Sequence, residues 1–143
     1  MQITMGWDVG GAHLKATRAE NGVITRAVQI ASPLWHGLET LERAFFEAET
    51  SLGQASLNAV TMTGELCDAF TTRAEGVTKL AAAMSRLLAL RRVVFYAGRS
   101  GFVDVREIPG RAVEIASANW HASTALTAAR AQRAFHRRRF DDH

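Results

Sequence analysis

Apolar and polar positions alternate along the first thirty residues of the chain and then change period. In "QITMGWDVG", "HLKATRAE" and "VITRAVQIA" the repeat is two residues, which predicts three strands. Asn21-Gly22 is a two-residue hairpin signal between the second and third of them, and Gly10-Gly11 offers a turn between the first and second. An antiparallel meander is therefore predicted, closed by Ser32-Pro33. The spacing then becomes helical. Leu38, Leu41, Phe45, Ala48 and Leu52 fall on one face, and Gly53 is placed to stop the helix. "LNAVTMTGE" is rich in apolar and β-branched residues and reads as a buried strand. Thr72 to Glu75 has capping-box form, and Val77, Leu80, Met84, Leu87 and Leu88 continue it as a second apolar stripe. "RRVVFYAG" predicts a strand, "GFVDVREI" a further strand beside it, Pro109-Gly110 a break, and "AVEIASANWHASTALTAARA" a last helix. The predicted order is β-β-β-α-β-α-β-β-α, an α/β chain built on a mixed sheet whose first three strands are antiparallel.

Composition narrows the class. The 143 residues suit one domain with an ordinary globular core. Cys67 is the only cysteine, so neither an intrachain disulfide nor a cysteine zinc site is possible. With no basic, apolar leader at "MQITMGWD" and no run long enough to span a bilayer, a cytoplasmic protein with no membrane partner is expected. The net charge of +3 is concentrated in the end, "RAQRAFHRRRFDDH", while the body is nearly balanced. That distribution is read as a solvated terminus and not as a nucleic-acid site.

Three stretches carry candidate chemistry. In "MGWDVGGAHLKA", Asp8, Gly10, Gly11 and Lys15 surround a turn between two strands. Glycine lets backbone N–H groups approach a phosphate, an aspartate can hold Mg2+ through water, and a lysine neutralises a phosphate oxygen. A plain Gly-Gly hairpin flanked by two charges accounts for the same spacing. In "TMTGELCDAFTTRAEGV", a strand ending at Thr63-Gly64-Glu65 is followed by Asp68 and Arg73, at the carboxyl end where open α/β sheets bind ligands. A capped helix entry with solvated charges is the alternative. In "ASANWHAS", Asn119 and His121 are able to touch a ligand, although inward packing of Trp120 explains the stretch as well. His13 and His36 are isolated and expected at the surface.

The hairpin context of the first stretch resembles the first phosphate loop of the actin–sugar kinase–Hsp70 superfamily. "GWDVGGAHLKA", "TMTGELCDAFTTRAEGV" and "ASANWHA" together, in this order, resemble the amino-terminal part of the hydantoinase/oxoprolinase-related family linked to tetrahydromethanopterin-dependent one-carbon transfer, which includes methanofuran-biosynthesis enzymes. The resemblance runs to about Ala129. It implies an actin-like ATPase (ribonuclease H-like) N-terminal lobe over residues 1–129 and a basic tail over 130–143. It also implies transfer of an aminomethylfuran-methyl group from its diphosphate to the phenol of a glutamyl-tyramine-type substrate. On that reading Asp8, Gly10, Gly11, Ala12, Lys15, Thr63, Gly64 and Asn119 bind the phosphate ligand, with Mg2+ at Asp8 accompanied by diphosphate or ATP. Lys15 then stabilises the leaving group, and Glu65 or Asp68 is the candidate base. Family members continue into a second phosphate loop of the form D-x-G-S-T-T-T-D, and these 143 residues contain none. A truncation or a shifted frame near Arg130 is expected ahead of a naturally short paralogue, and either leaves one lobe of a two-lobe site. The second functional reading is a non-catalytic phosphate- or nucleotide-binding module, a possible homodimer.

Overall fold

The computed structural model describes residues 2–63 and 69–118. Three strands come first: β1 (Ile3–Val9), β2 (His13–Glu20) and β3 (Val23–Ala31). Both pairings among them are antiparallel, with Asp8 opposite Lys15 in the first and a bulge between Arg18 and Ala19 in the second. The β2–β3 turn is made by Asn21 and Gly22 at φ 50 and 82, the positive pair that a tight hairpin turn requires. Asn21 also ties the turn to the start of β1, its side-chain oxygen accepting the Gln2 N–H at 3.0 Å.

A 3-10 turn at Leu34–His36 leads into α1 (Glu39–Leu52), which ends at Gly53 with φ 77. Next comes β4 (Leu57–Met62), which returns parallel to β1, then α2 (Arg73–Leu87) and β5 (Arg92–Tyr96), which lies parallel to β4. The spatial order of the six strands is β3-β2-β1-β4-β5-β6. Parallel neighbours need a crossover, and α1 and α2 supply the two.

Side-chain period sorts the sheet into two faces. Met5, Trp7 and Val9 of β1, with Val60 and Met62 of β4, join one apolar core with Phe45 and Ala48 of α1, Leu80 and Met84 of α2, and Ile108 and Ile115 of α3. Trp7 stacks on Phe45 with ring centroids 4.9 Å apart. Its indole N–H donates to the Asn58 side-chain oxygen at 3.0 Å, and the Asn58 amide in turn donates to the Ala55 carbonyl at 3.0 Å. A buried polar residue near the start of a core strand is tolerable only because its groups are matched in this way. The alternate positions of β1, Thr4, Gly6 and Asp8, face the other side with Ala59 and Thr61 of β4.

Thr72 caps α2 as the sequence implies, its hydroxyl accepting the Glu75 N–H at 3.0 Å. The region after β5 differs from expectation. Only Phe102–Val103 forms a strand (β6), antiparallel to β5 across a turn in which Gly101 has φ 73. Val105–Glu107 instead winds into a 3-10 turn capped by Asp104. Pro109-Gly110 does not break the chain: α3 runs from Ile108 to Ala118 straight through it. Proline is favourable in a first helical turn, where its missing N–H would have had no partner. A Cβ added to Gly110 would meet nothing within 4 Å. Gly110→Ala is therefore expected to raise stability by about 0.5–1 kcal/mol through the lost freedom of the unfolded chain, read as a higher urea midpoint at unchanged slope.

Candidate functional site

The meander and the first crossover bring two strand ends side by side. In the parallel pairing Asp8 is opposite Thr61, and in the antiparallel pairing Asp8 is opposite Lys15. Residues directly opposite share a sheet face, so Lys15, Asp8 and Thr61 form a row across three strands near the carboxyl ends of β1 and β4. Lys15 reaches solvent, Asp8 is half-buried and Thr61 is fully buried.

The row is polar and unsatisfied. Asp8 Oδ1 and Thr61 Oγ1 are both buried with no hydrogen-bond partner, and so is Thr4 Oγ1 further down the same face. Leaving a buried acceptor unpaired costs about 1–3 kcal/mol, so neighbouring orphans on one face are a feature to be explained and not a background event. Burial pushes the Asp8 carboxyl above its ordinary range, and the charge of Lys15 pulls it part of the way back. A carboxylate held at a desolvation cost gains from an incoming cation.

Beyond the row, the chain passes through the glycine loop. Gly10 N–H donates to the His13 carbonyl at 3.0 Å. The Gly11 carbonyl accepts from Leu34 N–H at 2.9 Å, and the Ala12 carbonyl from Ser32 N–H at 2.8 Å. Both oxygens are thus turned toward the segment that follows β3. A trans peptide sets its N–H opposite its C=O, so the Ala12 N–H points away from the Leu34 contact. Thr63 continues β4 against the same loop, its N–H donating to the Val9 carbonyl at 2.7 Å.

Gly10 is where this packing is tightest. A Cβ there would stand 2.9 Å from the His13 carbonyl oxygen and 3.1 Å from Thr63 Oγ1. The first of these is backbone and cannot move aside without reshaping the hairpin. Gly10→Ala is expected to cost about 1–3 kcal/mol, as overpacking does, and to shift the loop. Thermal unfolding checks the first effect, and loss of phosphate-probe binding the second.

The structure thus brings together Asp8, Gly10, Gly11, Ala12, Lys15 and Thr63 of the residues singled out from sequence. Gly64, Glu65, Asp68 and Asn119 lie outside the described residues, as do Cys67, Trp120 and His121. His13 and His36 are exposed, as expected. Thr61 was missed by sequence reasoning, where it counted only as a β-branched strand residue. A signal existed: it stands two residues before Thr63, on the same face of the strand.

Among the described residues no group of three or more histidine, cysteine, aspartate or glutamate side chains is arranged to hold a metal. Mg2+ makes a different demand. It keeps most of its waters and is held by one or two carboxylates together with substrate phosphates. The orphaned Asp8 oxygen, with the Thr61 hydroxyl beside it, fits such an ion, and Lys15 fits a phosphate oxygen.

No protein-family model matches the sequence, and no curated protein matches it. Among solved structures, the chain is similar to the crystal structure of a ROK family glucokinase from Streptomyces griseus in complex with glucose and AMPPNP. The TM-score is 0.45, with 19% sequence identity, covering 65% of this chain and 32% of that one. The chain accordingly spans less than a third of that protein's length. No helix among the described residues is long and apolar enough to cross a membrane.

Proposed function

We propose that this chain is a phosphate-binding lobe of the actin-like ATPase type, gripping a phosphate or diphosphate with Mg2+ at the Asp8–Lys15 loop. One observation carries the reading: a buried, unpartnered Asp8 oxygen stands beside an unpartnered Thr61 hydroxyl and opposite an exposed lysine, next to a glycine that tolerates no side chain. A structural hairpin has no use for that desolvated carboxylate. The meander followed by two parallel crossovers supports the fold assignment.

In this proposal Asp8 orients the hydrated cation and Lys15 neutralises the outer phosphate oxygens. The Ala12 N–H donates to the bound anion, and Thr63 holds the loop closed against β4. Mg2+ itself would supply charge neutralisation at the phosphate. The resemblance of the three motifs supports a more specific reaction, carried by the full two-lobed protein. There the diphosphate leaves an aminomethylfuran-methyl group as a glutamyl-tyramine-type phenol attacks, in the synthesis of a methanofuran-like one-carbon carrier. Glu65 or Asp68 would take the phenolic proton and Lys15 would steady the departing diphosphate. The second reading is a phosphate-binding module without chemistry.

Calorimetric titration with Mg-diphosphate and Mg-AMPPNP tests the common core of both readings. Saturable binding that weakens about tenfold or more in Lys15→Ala, about 1.4 kcal/mol or more, is the expected result. Absence of heat and of any thermal shift with either ligand overturns it. Release of diphosphate from an aminomethylfuran-methyl diphosphate, lost in Lys15→Ala, separates the transferase from the binding module.

A further inference from the structure

The sheet has two faces, and the described helices account for only one of them. α1, α2 and α3 all send apolar residues into the core that holds Met5, Trp7 and Val60. The opposite face carries Thr4 and Gly6 of β1, Ala19 of β2, and Leu57, Ala59 and Thr61 of β4. Leu57 and Ala59 form a small cluster of their own there, and the Val94 and Phe102 packed against it are themselves strand residues. Among the described residues no helix lies over this face. Yet Thr4, Ala19, Ala59 and Thr61 have no exposed surface, and Leu57 is only 3% exposed. Thr4 Oγ1 and Thr61 Oγ1 stand there buried without a partner, which marks the face as covered and not as hydrated.

Small side chains on adjacent strands cannot shield one another in this way. Ala59 lies between Gly6 and Val94 across the two parallel pairings, and an open face above a glycine–alanine pair is in contact with water. The burial therefore comes from chain lying across the strands. It is also bounded, since Ala27 and Gln29 of β3 share this face and are exposed. A cover over β1 and β4 that stops short of β3 has the width of one helix, about 10–12 Å against strands about 4.8 Å apart.

Two stretches lie outside the described residues. The first, 64–68, is short and leads from β4 to α2 on the helix-covered face. The second, 119–143, follows directly from α3. At helical spacing Trp120, Thr124, Thr127, Ala131, Ala134 and Phe135 share one stripe, and Arg130, Arg133 and Arg137 fall to its side. A stripe of mostly small residues suits close approach to Gly6, Ala19 and Ala59. Its length also fits, because a twenty-residue helix spans about 30 Å and a seven-residue strand about 23 Å. We propose that residues 119–135 seat on this second face, across β1 and β4, and form the wall that takes Asp8 and Thr61 out of water. The inference does not depend on what the Asp8–Lys15 loop binds.

The test uses the full chain. Ala27 is exposed on this face and stands opposite the buried Thr17, so a probe on it reaches the rim of the seat without disturbing it. Ala27→Cys, in a Cys67→Ser background that leaves one thiol, is labelled with a short-armed benzophenone maleimide and illuminated. Cleavage after glutamate then releases residues 115–143 as one peptide, because no glutamate follows Glu114. Mass spectrometry is expected to find the probe joined to residues 119–135 of the same chain, with a yield unchanged on dilution. As a second reading, Ala59→Arg puts a charge under the cover and should lower Tm by roughly 5 °C or more, whereas Ala27→Arg beside it should melt close to the wild type. Links only to a second copy would make the face a dimer interface and overturn the proposal. So would the absence of any link to 119–135, however Ala59→Arg melts, and so would an Ala59→Arg variant as stable as the wild type.

Discussion

Trp7→Ala is expected to bring the chain to the edge of unfolding. Trp7 has no exposed surface, stacks on Phe45 and donates its indole N–H to Asn58. Removing a buried aromatic side chain costs about 3–5 kcal/mol in transfer and cavity terms. Losing the donor leaves the Asn58 oxygen unpaired inside the core, for roughly another 1–3 kcal/mol. Domains of this size are stable by only about 5–15 kcal/mol, so the combined loss is a large part of the whole. Urea unfolding followed by far-ultraviolet circular dichroism measures it without depending on the fluorophore that is removed. Trp7→Phe narrows the comparison, since it keeps an aromatic ring on Phe45 and removes the N–H with only part of the ring volume. It is expected to cost about 1–3 kcal/mol, and much of that loss should vanish when Asn58 is already replaced by alanine. Strictly additive effects in that cycle would mean that the Trp7–Asn58 hydrogen bond contributes nothing to stability.

Asp8→Asn is expected to act in opposite directions on stability and on binding. The folded state raises the pKa of Asp8, chiefly by burial. Such a group favours folding most below its unfolded-state value, where both states hold the proton. The advantage is lost as pH rises through the folded-state value and the carboxylate must ionise in a place that desolvates it. At neutral pH the wild type therefore carries a penalty that the asparagine variant lacks. The variant should be more stable at pH 7 by roughly 0.5–2 kcal/mol, the range common when a functional-site penalty is removed. The difference should shrink as the pH is lowered toward the ordinary aspartate range. The half-buried residues Glu75, Asp104 and Glu114 have carboxylates shifted the other way, downward by nearby donors, but they are common to both proteins and cancel in the comparison. Binding of Mg-diphosphate should fall at least tenfold in the same variant, about 1.4 kcal/mol or more. Thermal melts from pH 3.5 to 8 with and without ligand read both effects. An asparagine variant less stable than wild type at neutral pH would show that the Asp8 carboxylate is structural.

The candidate site was legible in part because some of its pieces are local in sequence. Asp8, Gly10, Gly11 and Lys15 are carried by one hairpin, and the antiparallel register that sets Asp8 opposite Lys15 follows from a short loop. Thr63 was visible as a strand end, but its packing against Gly10 was not, since it depends on which strand β4 joins.

The sequence by itself determined what short-range sterics and periodicity control. Asn21-Gly22 adopts positive φ at both positions, and Thr72 caps a helix whose apolar stripe it precedes. Gly53 ends α1, and the two-residue period of β1, β2 and β3 assigns their faces. Each of these follows from the conformational preferences of a few adjacent residues. The tertiary structure decided the rest. That β4 lies parallel to β1 is a choice among edges of the sheet, made by packing α1 over Trp7 across about fifty residues of chain, and no local pattern encodes it. The same packing turned Asn58 from an oddity in an apolar strand into a satisfied core partner. It also set Thr61 beside Asp8 with neither group paired. A hairpin with two charges is written in the sequence, whereas its conversion into a desolvated, one-sided polar row needed the neighbouring strand, because desolvation is a property of what surrounds a residue and not of the residue.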